Sequence, residues 1–182
     1  RFAIVPHAML GLARVRPVED EGLDEPELGI VYQWLRTPRP SEFCSLTERP
    51  GYLRLYGMES PGSRYKQALI ARRQTDPVFT AETSLDFDPA SFQNLAGLVL
   101  YYNASKFHYL FVSRDEHVGK YLGIMSCQAD SSLATVYPVD DRKMPLPVGK
   151  AIRLRMQVDH EALRFSWSIG DGDWQVLPLV LD

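Results

Sequence analysis

The stretch AIRLRMQVDHEALRFSWSIGDGDWQVL, residues 151–177, decides the fold. Ile152, Leu154, Met156 and Val158 alternate with Arg153, Arg155, Gln157 and Asp159, the period-two pattern of a strand with one face buried and the other in water. DHEA (159–162) turns the chain, after which Leu163, Phe165, Trp167 and Ile169 alternate with Arg164, Ser166 and Ser168. GDGD (170–173) turns it again into Trp174 and Val176, so the segment reads as an antiparallel meander.

The same period runs upstream. In VFTAETSLDF, Phe79, Ala81, Thr83, Leu85 and Phe87 share one face while Thr80, Glu82, Ser84 and Asp86 share the other. Further strands are predicted at 53–56, 67–72, 95–102, 108–113, 120–127 and 135–139, divided by turn clusters such as DPAS (88–91), NASK (103–106) and KMPLPVGK (143–150). With short strands at this spacing and no long helical window, the fold class is all-β. A two-sheet antiparallel β-sandwich suits the strand count, and no fixed-period repeat points to a propeller within this chain.

A length of 182 residues fits one domain, and a net charge of −3 with scattered Lys and Arg leaves no electrostatic footprint for nucleic acid. The apolar patch at Phe2–Val5 is cut short by Pro6 and His7, well below membrane-spanning length, so no membrane partner is expected. Residues 1–23 read as an N-terminal arm and linker and residues 24–182 as the sandwich, with the acidic EDEGLDEPELG (19–29) spanning the junction. A start at arginine suggests a piece of something longer or a processed chain. Cys44 and Cys127 lie far apart without CxxC or zinc spacing; they read as free buried thiols, which fits a reducing, cytoplasmic location.

Catalytic and metal signals are weak. His7, His108, His117 and His160 have no HExxH or HxH spacing, and there is no GxSxG elbow, so no catalytic and no metal residues are assigned. Asp86 with Asp88, and Asp171 with Asp173, could offer oxygens to a structural calcium, but neither stretch has an EF-hand ligand set and turn chemistry accounts for both. No cofactor is expected, with that calcium left open. Asn103-Ala-Ser105 is a glycosylation triplet that matters only in a secreted protein. Among the aromatics, Trp34, Tyr101 and Tyr102 are candidates for stacking on a sugar ring, although alternating strand aromatics more often fill a core. Tyr101 and Tyr102 must face opposite ways. Glu59, Glu82 and Asp115 are the acids to consider for glycoside hydrolysis, which needs two carboxylates at a set separation.

YQWLRTP (32–38), SLTERPGYLRLYGMES (45–60), QALIARRQ (67–74), FTAETSLDFDPASFQNLAGLVLYYN (79–103) and FHYLFVSRDE (107–116) together carry a resemblance. In this order they resemble the C-terminal concanavalin A-like β-sandwich domain, of jelly-roll type, of glycoside hydrolase family 43 β-xylosidases. The resemblance implies a non-catalytic accessory domain packed on a five-bladed catalytic propeller, which would carry the carboxylates that act on xylosides, arabinosides or xylo-oligosaccharides. It also implies that GMESPGSRYKQ (57–67) reaches over the propeller's sugar pocket, with Tyr65, flanked by Ser63 and Arg64, closing the pocket where relatives carry phenylalanine. Family members continue past the stretch matching LPLVLD (177–182) with a last strand, so an unpaired edge is expected here, filled by Phe2–Val5 or by a second copy in a homo-oligomer. The segment before Glu19 matches nothing in the family. Two rival readings are a free-standing, lectin-like carbohydrate-binding module and a small sandwich glycanase.

Overall fold

A computed structural model describes residues 2–7, 11–14, 28–128, 135–137 and 143–182. Its fifteen strands are β1 (Phe2–His7), β2 (Gly11–Arg14), β3 (Tyr32–Gln33), β4 (Cys44–Ser45), β5 (Leu53–Leu55), β6 (Ile70–Arg72), β7 (Val78–Asp86), β8 (Leu95–Asn103), β9 (Lys106–Asp115), β10 (Gly119–Cys127), β11 (Thr135–Tyr137), β12 (Met144–Pro145), β13 (Ile152–Asp159), β14 (Ala162–Ile169) and β15 (Gln175–Leu181). They form two sheets. One runs β11-β10-β9-β8-β1-β6-β3, with β12 also paired to β10, and the other runs β15-β14-β13-β7-β2-β5-β4. Every paired neighbour is antiparallel, as expected for a sandwich of hairpin-linked strands.

The main core lies between the sheets. The apolar face of β13 (Ile152, Leu154, Met156, Val158) registers with Ala81, Thr83 and Leu85 of β7 and with Leu163, Phe165 and Trp167 of β14, and all are buried. Leu98, Leu110, Val112, Leu122 and Ile124 close it from the other sheet. Strands β8 to β10 are buried on their second face too, where Val99, Tyr101, Phe107, Tyr109 and Phe111 make a smaller cluster with Leu69 and Ala71. This explains why LAGLVLYYN and KFHYLFVSRD read as almost unbroken apolar runs. Burial raises the Tyr109 hydroxyl well above its ordinary pKa.

Two glycines permit close approaches. A Cβ on Gly97 would sit 1.9 Å from the Leu110 carbonyl oxygen, and one on Gly123 would sit 2.8 Å from the ring of Phe111.

Three outcomes differ from the pattern reading. Ser166 and Ser168 point away from the main core as alternation requires, yet both are buried. The turn after β14 folds back over them: Ser168 Oγ donates to the Gly172 carbonyl at 2.6 Å, Arg153 Nη2 reaches the same carbonyl at 2.7 Å, and Trp174 lies 3.7 Å from the Arg155 guanidinium. Second, β6 begins at Ile70 and not at Gln67, because the Gln67 side chain is committed to a loop. Third, the stretch expected as an arm supplies two interior strands. Phe2–His7 lies between β8 and β6, and Gly11–Arg14 between β7 and β5. Phe2–Val5 therefore does pair as a strand, as one of the two expectations for the unpaired edge has it, but between two strands of the larger sheet and not along an outer edge. The outer edge of the other sheet, β15, carries Pro178 next to a register shift, which removes one donor from the edge and works against pairing with another strand.

Candidate functional site

The loop between β5 and β6 projects from one end of the sandwich, and its shape is set by its own polar atoms. Glu59 N donates to the Lys66 carbonyl at 3.2 Å, closing the base, and Ser63 N donates to the Ser60 carbonyl at 2.9 Å. Ser63 Oγ donates to the Glu59 carboxylate and accepts from Tyr65 N at 3.0 Å. Pro61 is buried, while Gly62 faces the carbonyl of Ala104 in the β8–β9 turn. The loop thus lies against a hairpin, and Arg64, Tyr65 and Lys66 are exposed at its crest. Tyr65 is 77% exposed, and Tyr102 on the adjacent hairpin is exposed to the same degree.

Beneath the crest sits Gln67, only 2% exposed. Its Nε2 donates toward three loop carbonyls: Ser63 at 2.9 Å, Ser60 at 3.3 Å and Pro61. Its Oε1 accepts from the Tyr101 hydroxyl at 3.4 Å and lies 3.5 Å from Arg36 Nη1, which also donates to the Ser63 carbonyl at 3.1 Å. Arg36 holds φ at 59°, a region that residues with a Cβ seldom adopt. Pattern reading missed Gln67 and Arg36. The available signal was a polar residue heading the apolar run QALIA, where a strand would otherwise place an aliphatic.

The three stacking candidates do not form one platform. Tyr101 is corrected to a core residue: it is 2% exposed, packs 6.2 Å from Phe107 and spends its hydroxyl on Gln67. Tyr102 faces the other way at the end of β8, 77% exposed, on the hairpin beside the loop. Trp34 is half-buried and donates Nε1 to the Thr37 carbonyl at 3.0 Å. Its ring helps line a separate concavity of about 500 Å³, with Leu28, Pro38, Arg39, Ser45 and Thr47. Cys44 also lines it, and burial pushes that thiol up to about 11. Cys44 and Cys127 are both free and buried.

The acids and the remaining candidates are each occupied. Glu82 accepts from Arg155 Nε at 2.6 Å on the outer face of β7. Asp115, at the end of β9, accepts from Lys143 and from the backbone N–H of His117 and Val118, and these bonds, Lys143 first, hold its carboxyl well below the ordinary range. With Glu59 in the loop, the three lie on different elements. Of the two aspartate pairs weighed for a structural calcium, Asp86 accepts from Arg49 at 2.8 Å, and Asp88 accepts from Lys120 at 2.7 Å and from Gly149 N at 2.9 Å. Among the described residues, no three His, Cys, Asp or Glu side chains converge as a metal set. His108 is buried between Ser126 Oγ at 2.9 Å and the Asp182 carbonyl at 2.8 Å. Asn103 is exposed on its hairpin, its Oδ1 accepting from Ser105 N at 2.8 Å.

Two antiparallel sheets packed on an apolar interior define a β-sandwich, with Tyr65 exposed on a braced loop at its surface. The chain belongs to the family described as the β-xylosidase C-terminal concanavalin A-like domain, of glycoside hydrolase family 43, which it matches over residues 21–182. It is 34% identical over 166 residues to a β-xylosidase of Bacillus subtilis, covering 91% of this chain and 30% of that protein. It is 35% identical over 157 residues to a xylosidase/arabinosidase 43B of Humicola insolens, covering 83% and 28%. The crystal structure of a xylan β-1,4-xylosidase from Bacillus halodurans superposes with a TM-score of 0.83 at 35% identity, covering 92% of this chain and 32% of that one. The resemblance read from the motifs therefore holds. The chain corresponds to the C-terminal accessory part of such enzymes and spans about 30% of their length.

Proposed function

We propose that this domain packs on a family 43 catalytic propeller and that the loop at 59–66 completes its sugar pocket, with Tyr65 as the closing residue and Ser63 and Arg64 beside it. The observation that carries this reading is an aromatic left in solvent on a loop that is braced from below. Brought over a pocket, the ring excludes water and walls off the terminal sugar, which strengthens the field of the catalytic carboxylates and favours short xylo-oligosaccharides. Its hydroxyl adds a hydrogen-bonding group that a phenylalanine lacks. Tyr102 on the adjoining hairpin extends the same end of the domain toward the partner.

The test is hydrolysis of an aryl xyloside and an aryl arabinofuranoside by a family 43 catalytic domain, with and without this chain. Activity should rise on addition of the chain, and Tyr65→Ala should remove much of the gain. An unchanged kcat/KM with that variant refutes the closing role. The concavity beside Trp34 favours a second reading, a carbohydrate-binding module. Titration of the chain alone with xylo-oligosaccharides separates the two, since only the second predicts heat and quenching of tryptophan fluorescence.

A further inference from the structure

We infer that Gln67 is a positioning residue, and that with Arg36 and Tyr101 it forms a clamp that sets the 59–66 loop in its closed shape before any sugar arrives. This rests on the reading of Tyr65 as the closing residue.

The geometry is specific. One carboxamide has two N–H donors and two acceptor lone pairs. Here both donors go upward to the loop, where three carbonyls surround Nε2, and both lone pairs go downward and sideways, to the Tyr101 hydroxyl and the Arg36 guanidinium. The amide is buried, so water cannot take over these bonds when they are lost. Tyr101 is anchored in the second apolar cluster on β8, which ties the loop to a strand paired on both sides. Arg36 adds a bond to the Ser63 carbonyl from outside the loop, and its left-handed backbone is the kind of local cost that surrounding contacts must sustain. No apolar residue, and no carboxylate, can bond the loop and its floor together in this way.

A preset loop matters because substrate pays for any ordering it must impose. If the closed shape is populated only in a fraction of molecules, apparent affinity falls by that fraction while the closed complex reacts as before. Loss of the clamp should therefore raise KM with little change in kcat. Mere loss of folded protein does the opposite, lowering apparent kcat at constant KM.

Two variants test this. Gln67→Met keeps the volume and deletes every bond. Gln67→Glu keeps the acceptors for Tyr101 and Arg36, but as a carboxylate it has nothing to donate to the loop; protonated, it regains one donor. Amide hydrogen exchange of residues 60–66 in the chain itself, corrected for intrinsic rates, should show about tenfold weaker protection in both variants at pH 7.5. In Gln67→Glu alone it should recover as the pH is lowered far enough to protonate that carboxyl. Protection equal to the wild type in both folded variants overturns the inference.

In an assembly with a family 43 catalytic domain, Gln67→Met should raise KM about tenfold with kcat within twofold, and should add little to Tyr65→Ala. If Tyr65→Ala impairs activity while Gln67→Met leaves KM unchanged, the clamp is refuted and the closing role of Tyr65 stands. If Tyr65→Ala has no effect, the closing role falls, and with it the inference as a statement about catalysis, whatever the exchange data show of loop order.

Discussion

Lys120 lies on β10 facing the main core, its side chain 1% exposed, with Nζ 2.7 Å from Asp88 Oδ1 and 3.4 Å from the Lys150 carbonyl, while the Asp88 side chain is 43% exposed. The two ends of this ion pair should respond unequally to mutation. Asp88→Ala strands a buried ammonium on one long carbonyl bond and also frees Gly149 N. Removing one partner of a fully buried pair costs about 3–5 kcal/mol; with Asp88 open to water, the cost here should be about 2–3 kcal/mol. Lys120→Met fills similar volume with an apolar chain and leaves a hydrated aspartate still bonded to Gly149, so it should cost about 1 kcal/mol or less. An unfolding entropy of about 2 cal/mol/K per residue gives roughly 0.4 kcal/mol/K for a chain of this length, so the variants should differ in Tm by about 5 °C. Calorimetry on the two single variants and the double variant checks this. The double variant should melt above Asp88→Ala, because the stranded charge is gone. A Lys120→Met protein that melts at or below Asp88→Ala refutes the argument.

The close approaches at two glycines give a graded prediction. Gly97→Ala drives a methyl into backbone 1.9 Å away and should cost more than about 3 kcal/mol, whereas Gly123→Ala meets a phenylalanine ring that can tilt and should cost about 1–3 kcal/mol. Equal urea midpoints for the two would contradict it. For pH, the Asp115 carboxyl is depressed in the folded chain, so its stabilisation is present above about pH 4 and lost as pH falls through the unfolded value toward the lower folded one. The stability gap between wild type and Asp115→Asn should thus be flat between pH 5 and 7 and shrink below about pH 4 in urea titrations; a constant gap would show that the Lys143 contact contributes nothing to this dependence.

The strands legible in the sequence were those with one wet face or a strong turn. β13 and β14 alternate cleanly because arginines and serines mark the outer side, and GDGD marks the corner. The depth of Ser166 and Ser168 was not legible, since it depends on a turn folding back over them. Tyr101 and Tyr102 were known to diverge, but which of them was buried depended on the second apolar cluster, which draws on Leu69 and Ala71 about 30 positions away. The exposed crest at Tyr65 was legible through family likeness alone, and the clamp beneath it was not, because a buried amide and a polar surface residue look identical in a string of letters. Phe2–His7 offered no period at all: its register is written in strands far along the chain.

That last placement orders events in time. β1 is flanked by β6 and β8, so a segment near the start of the sequence cannot be held on both sides until a strand about 90 residues later has been made. At roughly 5–20 residues per second of synthesis, the wait is on the order of 5–20 s. During it, the interior of the larger sheet exists as two open edges, and β2 waits likewise for β7. Closure of both sheets is therefore a long-range step within this domain, one that waits on the capture of β1 and β2 between strands made after them.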